Sequence, residues 1–152
     1  MTVNIRATEA GDRNAWGGLY KSYAAFYGVA QTEDMRDRVW EWLMDPAHEV
    51  DGLVAEVDGV LVGLAHFRPF ARPLAAGVGG YLDDLFVNPD ARGAKVGEAL
   101  ISGVQDEGRK RGWGVVRWIT ADDNYRARGL YDQVATRTGW VTYDLNVDDA
   151  LG

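Results

Sequence analysis

YLDDLFVNPDARGAKVGEALI, Tyr81 to Ile101, changes character twice within one short stretch. YLDDLFV is apolar except for Asp83 and Asp84 and reads as a strand. From Arg92 to Arg111 the spacing of Val96, Leu100 and Val104 is helical. Lys110 and Arg111 suit the negative end of that helix, and Gly112 suits the position just past it. Between strand and helix lie a proline, an arginine, glycines and a lysine. A helix N-terminus exposes unpaired N–H groups and carries partial positive charge. Gly93, Ala94 and Gly97 are small enough to let that backbone approach an anion, and Arg92 and Lys95 add charge at the same point. The junction reads as a phosphate cradle at the C-terminal end of a strand, a common ligand position in α/β sheets. A tight turn that binds nothing has the same composition, so the stretch alone leaves both readings open.

Working outward, the flanks supply a regular order of elements. Val3 and Ile5 alternate with Asn4 and Arg6 in a short first strand. Trp16, Leu19, Tyr20, Tyr23, Phe26 and Tyr27 recur at helical spacing, with Thr8 upstream as a cap and Gly28 as a stop. Thr32 begins a second helix with Glu33 and Asp34 in its first turn, and Asp45-Pro46 ends it. GLVAEV and VLVGLAHF then flank Asp58-Gly59, a hairpin turn that needs positive φ at both residues. Pro69 to Gly80, with two prolines and three glycines, reads as a long loop. After the 92–111 helix come a strand at 115–120, a helix from Asn124 to Thr138 and a last strand, WVTYDLNV. The strands at 81–87 and 115–120, joined by a helix, should be parallel neighbours. The hairpin makes the rest of the sheet antiparallel. The expected fold class is α+β, with a mixed, mostly antiparallel central sheet flanked by about four helices.

The chain has 152 residues, enough for one domain spanning 1–152 with its own core. It has no cysteine, which removes disulfides, thiolate metal sites and a cysteine nucleophile. No apolar run approaches a membrane span, and the N-terminus lacks the apolar region of a signal peptide. A cytoplasmic protein is expected. A net charge of −7 argues against nucleic-acid partners and mildly favours a cationic ligand. There is no Walker loop, and neither Ser22 nor Ser102 lies in a nucleophile elbow. His48 and His66 lack metal-ligand spacing, so no metal is expected. His66, on a strand, either lines a pocket or is packed and hydrogen-bonded.

Two segments, together with this element order, resemble the GNAT superfamily of acyl-CoA N-acyltransferases. The first is the opening stretch, where Arg92-Gly93-Ala94-Lys95-Val96-Gly97 stands against the family's [QR]-x-x-G-x-[GA] signature. Arg92 and Gly97 match, and Lys95 occupies the place of the middle glycine. Helix-start positions have ordinary dihedrals, so Lys95 is expected to be helical and harmless. The second segment is NYRARGLYDQVATRTGW, where Asn124, Ala127, Leu130, Tyr131 and Gly139-Trp140 fit a recurrent ending of the family. YLDDLFV followed by P-x-A-R-G is similar to the polyamine and amino-acid acetyltransferase branches.

The resemblance implies an N-acetyltransferase that moves the acetyl group of acetyl-CoA to a primary amine of a small molecule. It implies pyrophosphate on the amides of residues 92–97 and pantetheine along Leu85, Phe86 and Val87. An N–H near Phe86 or Val87 would polarise the acetyl carbonyl. It further implies Tyr131 as proton donor to the leaving thiolate and Asn124 as a partner of the pantetheine or the helix start. Asp83 is implied as general base, directly or through water, with Asp84 the other candidate. Strand alternation is expected to send those two carboxylates to opposite faces. Tyr23, Tyr27, Trp40 and His66 are candidate walls of the acceptor site. A homodimer through the last strand or exposed aromatics is implied by analogy. The alternatives are a GNAT-like module that binds acyl-CoA without chemistry and, more distantly, a small nucleotide-binding α/β protein.

Overall fold

A computed structural model describes residues 2–149, with the backbone alone described at 92–94. The chain falls into two compact units, residues 1–119 and 120–152.

The first unit is built on one five-stranded sheet of order β1-β2-β3-β4-β5. Its strands are β1 (Val3–Ala7), β2 (Asp51–Val57), β3 (Val60–Arg72), β4 (Gly77–Val87) and β5 (Val116–Arg117). All neighbours are antiparallel except β4 and β5, which pair in parallel as Gly80↔Val116 and Tyr81↔Arg117. Asp58 and Gly59, between β2 and β3, have φ of 52° and 78°. That is the turn the hairpin's twist requires.

Helices α1 (Arg13–Phe26), α2 (Glu33–Met44) and α3 (Val96–Arg111) complete the unit. Thr32 caps α2, its hydroxyl accepting from the Met35 amide at 3.2 Å. Arg109, Lys110 and Arg111 occupy the last turn of α3, and Gly112 ends it at φ 74°. Trp16 and Leu19 of α1 form one buried cluster with Leu64 and Phe86. The neighbouring Gly63 faces Val96 and Leu100 of α3 instead. Consecutive strand residues point to opposite faces, so α1 and α3 cover opposite sides of the sheet. Burial of these side chains is the main stabilising term, at roughly 2 kcal/mol for each large aliphatic.

Several local expectations are corrected. The segment Pro69–Gly80 is not a long loop: β3 runs to Arg72, a 3-10 turn spans Pro73–Ala75, and β4 starts at Gly77. Gly79 and Gly80 are strand residues under aromatic rings. A Cβ on Gly80 would sit 2.3 Å from the Trp113 ring, and one on Gly79 would meet Phe70 at 2.8 Å. Small residues here mark close approach rather than a flexible connection. Asp12, not Thr8, precedes the first turn of α1.

The second unit contains α4 (Tyr125–Val134), shorter than expected because Ala135 is extended, with φ −145°. Asn124 caps it, its Oδ1 accepting from the Ala127 amide at 3.4 Å. The expected strand WVTYDLNV is not formed. Trp140, Val141, Tyr143, Leu145 and Val147 are exposed. Their alternation records strand propensity, but a strand also needs a hydrogen-bonded neighbour. Among the described residues, no helix is long and apolar enough to cross a membrane.

Candidate active site

The junction after β4 differs from its expected form. Pro89–Ala94 make a 3-10 turn in which Asn88 Oδ1 accepts from the Asp90 amide at 3.1 Å. Helix α3 starts at Val96, not Arg92, and its N-cap is Lys95. Lys95 is left-handed, with φ 58° and ψ 32°. The expectation of an ordinary helical Lys95 is therefore corrected. Glycine normally stands where the chain must turn this way, and a side chain there carries strain. The Lys95 carbonyl already accepts from Ala99, while its side chain caps nothing. The first amides of α3, those of Val96, Gly97 and Glu98, precede the first intrahelical donor and point out of the helix end. Side-chain surroundings of Arg92, Gly93 and Ala94 lie outside the described residues.

Among the described residues, β4 is paired with β5 along only part of its length. Its last residue paired with β5 is Tyr81, yet it continues to Val87. Leu85, Phe86 and Val87 remain paired with Ala65, Leu64 and Gly63 of β3. Their opposite edge faces no paired residue of β5.

A bulge sits at the start of this open stretch. Asp84 pairs with His66 and Leu82 pairs with Phe67, so Asp83 is the extra residue. The bulge overturns the expectation that the two aspartates face opposite sides. Asp83 Oδ2 accepts from Arg68 Nε at 3.0 Å, and Asp84 Oδ2 lies 2.8 Å from His66 Nδ1. His66 and Arg68 are two apart on β3 and share a face, so the bulge delivers both carboxylates to the face covered by α1.

The two carboxylates differ in electrostatics. Burial pushes the Asp83 carboxyl above its ordinary value, with the Arg68 hydrogen bond and charge opposing and the Asp84 charge reinforcing the rise. Burial also pushes Asp84 up, but the hydrogen bonds from His66 and from the phenols of Tyr20 and Tyr23 outweigh it. Asp84 is therefore held below the usual carboxylate range. Tyr20 donates its O–H to Asp84 Oδ2 at 2.9 Å. Burial and the Asp84 charge push the Tyr20 and Tyr23 phenols well up, so both stay neutral.

Aromatic side chains of α1 extend from this cluster. Tyr20 meets the His66 ring edge-on at 4.7 Å, and Tyr23 contacts Tyr27 at 4.9 Å and Phe86 at 5.9 Å. Trp40 packs on Trp16 at 5.0 Å. Of the candidate acceptor-site walls, Tyr23 and Tyr27 belong to this aromatic array, and His66 is a buried member of the carboxylate network. Tyr20 and Arg68 were missed by sequence reasoning. Tyr20 lay within a recognised aromatic stripe, and Arg68 sits two residues beyond His66. No sequence signal marked either as a partner of the aspartates. Asn124 and Tyr131 lie on α4 in the second unit.

β5 ends opposite Tyr81 while β4 runs on to Val87, and the two carboxylates lie just past the last parallel pair. The Acetyltransferase (GNAT) family matches residues 16–135, and the chain belongs to it. It is 30% identical over 146 residues to the D-amino-acid N-acetyltransferase HPA3 of Saccharomyces cerevisiae, covering 95% of this chain and 91% of that one. An uncharacterised N-acetyltransferase of Bacillus subtilis, YhfO, is 31% identical over 95% of this chain and 98% of its own. Among solved structures, a ribosomal-protein-alanine N-acetyltransferase from Brucella melitensis superposes with a TM-score of 0.80 at 26% identity, over 96% of this chain and 99% of that one. The aminoglycoside acetyltransferase AAC(6')-Iy, bound to a bisubstrate analogue, shares the fold with a TM-score of 0.84 at 21% identity, covering 96% of this chain and 99% of that one.

Proposed function

We propose that this protein transfers the acetyl group of acetyl-CoA to a primary amine of a small cationic acceptor. The observation that carries the reading is the β4 bulge, which sets Asp83 and Asp84 together beside the open strand edge. Two carboxylates opposed by one guanidinium, with tyrosines alongside, favour a cationic amine through charge and cation–π attraction. HPA3, named for D-amino acids, and AAC(6')-Iy, bound to an analogue that joins CoA to an acetylated aminoglycoside, both act on amines; this supports the acceptor class.

In this reading the diphosphate rests on the first amides of α3 and the preceding turn, residues 92–97, with Lys95 as counter-charge. Pantetheine lies along the free edge of Leu85 to Val87, pairing as an added strand. An N–H at Phe86 or Val87 meets the carbonyl oxygen as it becomes an oxyanion. Asp83 takes a proton from the ammonium, directly or through water. Its raised affinity for protons and greater exposure suit that task better than the hydrogen-bonded anion Asp84. The freed nitrogen attacks the carbonyl carbon, the tetrahedral adduct gives up its second N–H proton to water, from which Tyr131 is later re-protonated, and collapse breaks the carbon–sulfur bond. Tyr131 gives its phenolic proton to the departing thiolate, and Asn124 binds the pantetheine or fixes the start of α4. Holding thioester and amine together supplies much of the remaining acceleration.

The test is thiol release from acetyl-CoA with a panel of polyamines, amino acids and aminoglycosides. Turnover with at least one of them is expected. Binding of CoA with no thiol release from any amine would replace an enzyme with a binding module.

A further inference from the structure

Behind the two aspartates lies a chain of hydrogen bonds whose direction is set by chemistry. Trp16 is fully buried on α1, and its indole Nε1 donates to His66 Nε2 at 2.9 Å. An indole N–H can only donate. His66 Nε2 must therefore present a lone pair, and the neutral ring carries its proton on Nδ1. That Nδ1–H points at Asp84 Oδ2, 2.8 Å away, and Tyr20 donates to the same oxygen. A doubly protonated His66 would set two N–H groups against each other across 2.9 Å in a site that excludes water. The network ends at the indole and conducts no proton onward. Every proton in it is oriented toward Asp84.

We propose that Trp16 is a positioning residue: its indole N–H locks His66 in the Nδ1–H tautomer, and through that ring holds Asp84 as a fixed anion beside Asp83. This rests on the acetyl-transfer reading above for its link to turnover. The physical consequence is local. Asp84 is the β4 residue opposite His66, so the His66–Asp84 bond fixes one side of the bulge and sets where the extra residue, Asp83, projects. A ring free to flip tautomer would turn an acceptor nitrogen toward the carboxylate and replace attraction by repulsion of lone pairs. Among the described residues, the groups facing Asp84 are His66 from β3, Tyr20 and Tyr23 from α1, and Asp83 beside it on β4, itself held by Arg68.

The lock can be read without any amine, so failure to find an acceptor falls on the proposed reaction and not on the lock. The sequence holds only two histidines, His48 and His66. The Val50 amide donates to His48 Nδ1 at 3.0 Å, so the neutral His48 ring carries its proton on Nε2, the opposite tautomer. Nitrogen-15 spectra of histidine-labelled protein at pH 7.5 or so should show one ring of each kind, assigned with His48→Gln. Trp16→Phe keeps a ring but deletes the donor. With Asp84 still accepting from Nδ1, it should let His66 populate an Nε2-protonated form and cut kcat about tenfold, the effect of one buried hydrogen bond, with KM for acetyl-CoA unchanged. His66→Asn, whose amide reaches the Nδ1 position and donates to Asp84, should keep more activity than His66→Leu of equal melting temperature. A His66 protonated on Nε2 in the wild type overturns the proposal, and so does an unchanged kcat in Trp16→Phe once Nε2-protonated His66 is populated. If Trp16→Phe does not fold, the wild-type spectrum and the His66 pair still decide.

Discussion

Asp83 and Asp84 are consecutive on β4, yet they bind Arg68 and His66, side chains on one face of the neighbouring strand. A β-bulge is what allows two adjacent residues to serve the same side of a sheet. It also separates their chemistry. Asp84 is partly buried and hydrogen-bonded as an anion, while the Asp83 side chain is a third exposed and holds protons more readily.

Substitution should expose that division. Asp83→Asn removes the proposed base and should lower kcat by about a hundredfold or more, with the melting temperature nearly unchanged. Asp84→Ala strands the His66 N–H and the Tyr20 O–H in a buried site and should destabilise the fold by about 2 kcal/mol. Urea titration and steady-state kinetics on both variants test this. A stable, inactive Asp84→Ala beside an active Asp83→Asn would reverse the assignment.

Tyr131→Phe should lower kcat while leaving KM for acetyl-CoA near the wild-type value, if the phenol acts only as the thiolate leaves. Equal losses in both parameters would make the phenol a binding group instead.

Lys95 adopts a left-handed conformation that costs a residue with a side chain about 1 kcal/mol relative to glycine. Lys95→Gly should therefore raise the melting temperature. The same change removes a cation from the proposed diphosphate cradle, so CoA affinity should fall, and the loss should shrink at high salt. Calorimetry in low and high salt separates the two effects. A variant both less stable and unchanged in CoA affinity contradicts both halves of the prediction.

Gly80 lies under Trp113, with room for no side chain. Gly80→Ala should push the ring off β4 just where β5 pairs, at a cost of about 1–3 kcal/mol. Thermal unfolding checks the magnitude, and near-UV circular dichroism should register the displaced indole.

Arg6 holds Asp12 through bonds of 2.8 and 2.9 Å and Glu56 through a third. The Arg6 hydrogen bond, against the opposing effect of burial, keeps the Asp12 carboxyl below its ordinary range. A carboxyl depressed in the folded state stabilises above its unfolded value of about 3.9 and loses that contribution as pH falls through the folded value. Asp12→Asn should thus lower the urea midpoint at neutral pH, by an amount that shrinks below about pH 4. A gap that stays constant from neutral to strongly acid pH would falsify the linkage.

Much of the fold was legible in the residues. Asp58-Gly59 dictated its turn because few residues tolerate consecutive positive φ. Thr32 and Gly112 marked helix ends through local hydrogen bonding and backbone freedom. The period-2 runs at 52–57 and 60–67 defined the hairpin. Less was legible where composition has two meanings. The glycines of 77–80 read as a loop but are strand residues, with Gly79 and Gly80 flattened under Phe70 and Trp113. The alternation of 140–147 looked like a strand and has no neighbour to pair with among the described residues.

By itself, the sequence determined what is local: turn types, helix caps, the faces of the amphipathic helices and the family signature around Arg92 to Gly97. These follow from dihedral preferences and side-chain periods within a few residues. The tertiary structure alone decided the left-handed Lys95, the partners of Asp83 and Asp84, and the tautomer that Trp16 imposes on His66. Each of those depends on the register between strands or on a helix laid across them. A one-residue bulge changes which side chains meet without changing the composition of either strand.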